Sequence, residues 1–151
     1  MNKIEGDITT CTSGIVVHGC NAQGVMGSGV ALAIKNKWRA VYGAYMTEHT
    51  EGAGLHLGDV IPVQISDELI VINAITQEFC GNDGRKYVSY DAVDIAFKSI
   101  NTYINSLDAK FRHIHYPMIG AGLGGGDWQV ISSIISDAMD DDIKSTLWVK
   151  L

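Results

Sequence analysis

His18 and Asn21 stand three residues apart in the stretch Ile15 to Ala31, IVVHGCNAQGVMGSGVA. They are residue types through which a site moves protons and grips hydroxyl groups. A histidine with an ordinary pKa of about 6.5 exchanges a proton near neutral pH, and an asparagine amide both donates and accepts. Around them lie Gln23, Gly24, Gly27, Ser28 and Gly29. The stretch opens on Ile15-Val16-Val17, a β-branched run that predicts a buried strand ending at His18. From Val30 it reads as helix through Ala31, Leu32, Ala33 and Ile34. Strand, glycine loop and helix start, in that order, favour an anion. Glycines let backbone approach a ligand, and the free N–H groups of the first helical turn point at it. The same glycines would also serve a tight turn that only needs φ > 0. Cys20 lies in the loop and could be a nucleophile, although small buried cysteine is the commoner case.

A second stretch repeats the pattern. Ile119-Gly120-Ala121-Gly122-Leu123-Gly124-Gly125-Gly126-Asp127-Trp128 joins a strand-like run from His113 to a helical one carrying Val130, Ile131, Ile134, Ile135 and Ala138. Gly120, Gly122 and Gly125 match G-x-G-x-x-G. A dinucleotide fingerprint, however, opens a βαβ unit and is followed by an acidic residue at the end of the next strand. Here the next strand, Leu147-Trp148-Val149, runs into Lys150-Leu151. No Gly-Lys-Ser/Thr follows either loop, so neither is a P-loop. Two glycine loops at the C-terminal ends of strands can line one crevice of an open α/β sheet. Such a pair suits a ligand with two phosphates.

The elements that must hold these loops alternate along the chain. Lys3 to Ile8 predicts a short strand and turn, with Asp7 at the strand end, a common place for a turn-forming or capping Asp. Helices are expected to about Lys37 and over about Ala40 to Thr47. Thr50 to Gly58 is a loop. Val60 to Ile65 and Leu69 to Ile75, split by Ser66-Asp67-Glu68, predict a hairpin, with Pro62 marking an edge strand. Gly81-Asn82-Asp83-Gly84 is a turn signal, Ser89 an N-cap, and Val93 to Leu107 the clearest amphipathic helix. His113 to Ile119 and Leu147 to Val149 read as strands. His113 and His115 alternate with Ile114, so both fall on one strand face, without a third metal ligand. Strands alternating with helices give a three-layer α/β/α domain with a mixed, mostly parallel sheet.

The chain has 151 residues and is 46% apolar, which fits one folded domain over 1–151. Its net charge of -6 argues against a general nucleic-acid binder. No apolar run reaches the length of a membrane span. Met1 to Glu5 lacks the apolar core of a signal peptide. Three scattered cysteines, Cys11, Cys20 and Cys80, fit reduced thiols in a cytoplasm. The expected state is a cytoplasmic monomer without metal or cofactor.

Four segments in register resemble the macro domains, a family that binds ADP-ribose. They are Gly6-Asp7-Ile8-Thr9, Val17-His18-Gly19-Cys20-Asn21, Met26-Gly27-Ser28-Gly29-Val30-Ala31 and Ile119 to Trp128. The first looks like the family's GDIT motif and the second like its VNAAN segment, with His18 in place of the first Asn. The third and fourth look like its two phosphate loops. The resemblance implies the macro-domain fold, with adenine at Asp7 and Ile8 and the terminal ribose at Asn21. It sets the diphosphate between Gly27, Ser28, Gly29 and Val30 on one side and Gly122, Leu123, Gly124, Gly125, Gly126, Asp127 and Trp128 on the other.

Within the family, HGCN and GSGVA look most like the branch of ADP-ribose 1''-phosphate phosphatases and ADP-ribosyl-glutamate hydrolases. Phosphatase members carry His at the position of His18. The hydrolases' Lys position, counted back from Ser89-Tyr90-Asp91, is held by Tyr87, with Lys86 one residue off. Their Asp position is held by Gly124, with Asp127 three residues on. The resemblance therefore implies a metal-independent phosphatase converting ADP-ribose 1''-phosphate to ADP-ribose. In it His18 is acid or base, Asn21 holds the ribose and Asp127 assists, unless Asp127 is simply a helix cap. A non-catalytic ADP-ribose reader remains the alternative, as does a hydrolase of ADP-ribosylated protein or O-acetyl-ADP-ribose.

Overall fold

A computed structural model describes residues 2–150. Six strands form one sheet in the order β1-β6-β5-β2-β4-β3. They are β1 (Asn2–Glu5), β2 (Gly14–Asn21), β3 (Val60–Gln64), β4 (Leu69–Gln77), β5 (His113–Tyr116) and β6 (Lys144–Val149). Every neighbouring pair is parallel except β3 with β4. The expected hairpin is present, and Pro62 sits on the edge strand β3, where its missing N–H costs no ladder bond. Four helices cover the faces: α1 (Gly29–Lys37), α2 (Arg39–Thr50), α3 (Tyr90–Asn105) and α4 (Trp128–Ala138). Among the described residues no helix is long and apolar enough to cross a membrane.

Strand alternation divides the core. Ile15, Val17, Ile70, Ile72 and Ala74 pack with the apolar faces of α3 and α4, including Phe97, Ile100 and Ile131. The intervening Val16, Leu69 and Val71 face Ile34 and Val41 of α1 and α2. Burying each such Ile, Val or Phe side chain contributes about 1.5–3 kcal/mol, so these two seams carry most of the fold. α3 is held as its sequence suggests. Ser89 Oγ accepts from Ala92 N at 3.1 Å, and Asp91 lies in the first turn. The acidic end of α4 is also balanced. Arg112 donates to both carboxylate oxygens of Asp142, at 3.0 and 2.7 Å, and Asn101 and Asn105 donate to Asp140.

Lys3 to Ile8 holds the short strand and turn that were expected. The strand ends at Glu5, and Ile8–Thr10 form a 3₁₀ turn. Strand β2 does not stop at His18 but runs to Asn21, because its pairing with β4 continues His18↔Asn73, Gly19↔Ala74, Cys20↔Ile75. The register then slips, and Asn21 pairs with Gln77. An irregularity of this kind re-aims a strand end. His113 and His115 share a face as expected. Their rings stack at 4.0 Å, with His113 Nε2 2.7 Å from Thr146 Oγ1 and Trp148 Nε1 donating to His115 Nδ1 at 3.0 Å.

Candidate functional site

All five parallel strands end on one edge of the sheet, and a pocket of about 970 Å³ runs along that edge. Its floor and walls come from the residues after β1, β2, β4, β5 and β6. The volume is at the upper end of the range for small-molecule sites, and the position is the crevice beyond the carboxyl ends of strands where α/β sheets bind ligands.

At one end stands Asp7. Its Oδ1 accepts from Thr9 N at 2.9 Å and Thr9 Oγ1 at 2.7 Å, capping the 3₁₀ turn. These bonds, with Lys150 and Lys37 nearby, hold its carboxyl below the usual range. Asp7 is therefore ionised, and its other oxygen is unengaged among the described residues. Ile8 is buried in the adjoining wall. Trp148, Val149 and Lys150 complete this end, because β6 lies beside β1. None of the three was foreseen.

The first glycine loop faces the pocket with Gly27, Ser28, Gly29 and Val30. Ser28 precedes α1 but makes no side-chain cap bond. The first N–H groups of α1 are left for a ligand. Gly29 has φ +58°, and a Cβ there would meet nothing within 4 Å. The second loop divides in two. Gly122, Leu123 and Gly124 line the pocket, and their N–H groups donate to nothing among the described residues. Gly125, Gly126, Asp127 and Trp128 do not line it. Gly125 N donates to Gly122 O at 3.1 Å and Gly126 N to Gly120 O at 2.7 Å. A Cβ on Gly125 would run into Arg85 O, and one on Gly126 into Val88 and Ile131. Asp127 caps α4, accepting from Gln129 N at 2.9 Å. Trp128 packs against Tyr116. The sequence reading set these four against the diphosphate; in the structure their side chains or backbone groups close the loop and cap the helix.

His18 is 1% exposed and lies on the strand face toward α2. Its Nε2 donates to Asn73 Oδ1 at 2.6 Å, and Asn73 Nδ2 donates to Val41 O at 3.0 Å. Burial lowers its pKa to about 4, the bond to Asn73 opposing. The ordinary value near 6.5 that recommended it for acid–base work does not apply to this ring. Cys20 Sγ is 3.5 Å from the same Nε2 and 3.7 Å from Asn73 Oδ1. Cysteine, histidine and asparagine thus meet, but a catalytic trio needs nucleophile and orienting group on opposite ring nitrogens. Here both approach Nε2 closely, and burial pushes the Cys20 thiol up.

Asn21 lines the pocket, as do His18, Gly19 and Cys20 before it, although the His18 ring is almost wholly buried. Next to it lie Thr76, Gln77 and the segment Cys80 to Asn82. Tyr87 and Lys86, the nearest matches to a hydrolase lysine by counting, are elsewhere. Tyr87 Oη donates to Asp83 Oδ1 at 2.8 Å, and Lys86 Nζ sits 4.1 Å over the Tyr90 ring. Among the described residues no three metal-ligating side chains come together.

Two outcomes follow from this geometry. Gly29→Ala meets only the left-handed backbone penalty, about 1–2 kcal/mol, whereas Gly125→Ala adds overlap with Arg85 O worth about 1–3 kcal/mol more. Thermal melts should show a clearly larger loss for Gly125→Ala; equal losses would mean Gly125 has room. The second outcome concerns acid. His18 and His115 protonate near 4 in the fold but near 6.5 when unfolded. Between those values the unfolded chain binds more protons at these two rings, so their contribution to stability falls as pH drops from about 6.5 towards 4 and levels off below. Melts from pH 7.5 to 4 should show a shallower decline for His18→Gln than for the parent. An identical slope would show that the His18 ring is not buried neutral.

The family model for the Macro domain matches residues 17–135. A Bacteroides thetaiotaomicron protein of unknown function is 30% identical with a TM-score of 0.87, covering 99% of this chain and 97% of that one. A macrodomain protein from Streptomyces coelicolor is 29% identical with a TM-score of 0.79, and 97% of each chain is covered. Thermosipho africanus DarTG, solved in complex with ADP-ribose, shares the fold at 16% identity and a TM-score of 0.77, over 97% of this chain and 40% of that one. No curated protein matches. With the Macro model spanning most of the chain, and both glycine loops within it, this protein belongs to the Macro domain family.

Proposed function

We propose that this macro domain recognises ADP-ribose, free or attached to another molecule, and does so by binding rather than by hydrolysing a phosphomonoester. One observation carries the reading. A single pocket has an ionised Asp7 at one end, Asn21 at the other, and unengaged backbone N–H groups of two glycine loops on its walls. That layout matches a nucleotide with an amine-bearing base, a diphosphate and a second sugar. Asp7 takes the adenine amine, Gly29 and Val30 oppose Gly122 to Gly124 across the diphosphate, and Asn21 meets the terminal ribose. Thermosipho africanus DarTG, part of which shares this fold, was solved in complex with ADP-ribose.

Conversion of ADP-ribose 1''-phosphate to ADP-ribose needs a proton donor for the leaving oxygen and an activated water or nucleophile. His18 was the candidate, and its buried neutral ring, engaged by Asn73, favours a supporting role for it instead. Asp127 is held as a helix cap outside the pocket lining. The geometry therefore favours recognition over the phosphatase reading.

Calorimetry should show binding of ADP-ribose, weakened about 10- to 100-fold in Asp7→Ala, the worth of one hydrogen bond to a charged group. Unchanged affinity would move the adenine away from Asp7. Incubated with ADP-ribose 1''-phosphate, the wild type should release no phosphate above background. Release that disappears in His18→Ala would restore the phosphatase reading in place of this one.

A further inference from the structure

The Tyr45 hydroxyl is the polar end of a fully buried side chain on α2, in a cluster with Cys20, Ala22, Met26, Leu55 and Ile75. Buried phenols keep their hydroxyl satisfied, and here all of its bonds go to one short stretch of chain. Gly24 N donates to Tyr45 Oη at 3.1 Å. The single hydroxyl hydrogen is shared between Asn21 O at 2.6 Å and Asn21 Oδ1 at 3.0 Å. Oδ1 also accepts from Gln23 N at 2.9 Å and Val25 N at 3.4 Å. On the other side of the amide, Nδ2 donates to Val25 O at 2.8 Å. Turned over, the amide would set its NH₂ against these donors. The bonds therefore fix which atom is oxygen and which nitrogen.

Counted by capacity, little of Asn21 remains. An amide oxygen has two lone pairs and an amide nitrogen two hydrogens. Three donors already converge on Oδ1, and one Nδ2 hydrogen is engaged. The second Nδ2 hydrogen is the polar valence left for the pocket that Asn21 lines. We infer that Tyr45 is a positioning residue for the ligand: its hydroxyl locks the Asn21 amide so that one N–H donor, and no acceptor, is presented to the terminal sugar. Tyr45 does not line the pocket, and of the residues its hydroxyl bonds, Asn21 and Gly24, only Asn21 does. The partner atom on the ligand is then an acceptor, such as a ribose hydroxyl oxygen. Asn21 has no lone pair with which to take a proton from that hydroxyl or from water. It discriminates ADP-ribose from ADP, which lacks the second sugar. The inference rests on the ADP-ribose reading above.

The test compares ADP-ribose and ADP on the same two proteins by calorimetry. In Tyr45→Phe the ring stays and the hydroxyl goes. ADP-ribose should then bind about 3- to 10-fold more weakly, the worth of one neutral hydrogen bond, with ADP affinity within about twofold of wild type. A merely structural role would weaken both ligands alike and leave their ratio unchanged, and that result would overturn the inference. So would a wild type that binds both equally well. A wild type that binds neither would overturn the ADP-ribose reading itself. Should Tyr45→Phe fail to fold, the wild type decides by NMR. One Asn21 side-chain amide proton should shift on adding ADP-ribose and stay in place with ADP, while its geminal partner, bonded to Val25 O, remains protected from exchange. Equal shifts with both ligands would overturn the proposal.

Discussion

The pairing of β2 with β4 is the constraint from which the rest of the site follows. It holds Gly14 to Cys20 against Leu69 to Ile75 in unbroken parallel register. Nearly every residue of both runs is buried. Sliding β2 by one residue would turn Val16 toward α3 and Ile15 toward α1, spoiling two packed seams at once. The pairing is therefore fixed by burial on both faces. Because it is fixed, β2 and β4 end at the same level, and Asn21 comes opposite Gln77 at the pocket. The register slip falls at the last pair, where no core is lost by it and the strand end meets the pocket.

The same register explains why a histidine in a promising motif, though it borders the pocket, has a buried ring. His18 occupies the strand position whose neighbour is Asn73, on the face covered by α2. Its ring, the Asn73 amide and the Val41 carbonyl form a chain of buried hydrogen bonds from β2 through β4 to α2. A polar group in such a place is costly unless each member is partnered, and here each is. The chain ties the sheet to the helix that carries Tyr45. The polar bonds behind the pocket thus run from His18 to Asn73 to α2, and from α2 back through Tyr45 to Asn21.

Much of this was legible in the sequence where the signal was local. Ser89, the spacing of Val93 to Leu107, the hairpin at Ser66 to Glu68 and the edge position of Pro62 all follow from propensity, capping and period. Both glycine loops were found, since glycine spacing after a β-branched run is a local signature. What could not be read was set by contacts distant in the chain. Trp148, Val149 and Lys150 enter the pocket only because β6 lies beside β1, a pairing across the whole chain. The environment of His18 depends on Asn73, 55 residues away. Tyr45 looks like any helical aromatic until its hydroxyl is seen to reach Asn21, 24 residues back. The short strand ascribed to Ile15 to Val17 had the same cause: Gly19 looks like a strand terminator, but its partner strand continues past it.

The two glycine loops, alike in sequence, divide the work by the way their helices begin. Ser28 leaves α1 without a side-chain cap, so the donors at that helix start belong to the pocket. Asp127 caps α4 itself, which removes that helix start from the site and places a negative charge where an anion would otherwise sit. The second loop therefore offers the pocket its own backbone ahead of the cap, at Gly122 to Gly124. The glycines behind those residues serve closeness instead. Gly125 lets the loop lie against Arg85, and Gly124 O accepts from Tyr87 N at 2.6 Å and Val88 N at 3.0 Å. These bonds anchor the loop to the segment that leads into α3. One loop is a helix N-terminus left open to the pocket. The other is a backbone cradle held in shape from behind, and it is the cap at Asp127 that makes the difference between them.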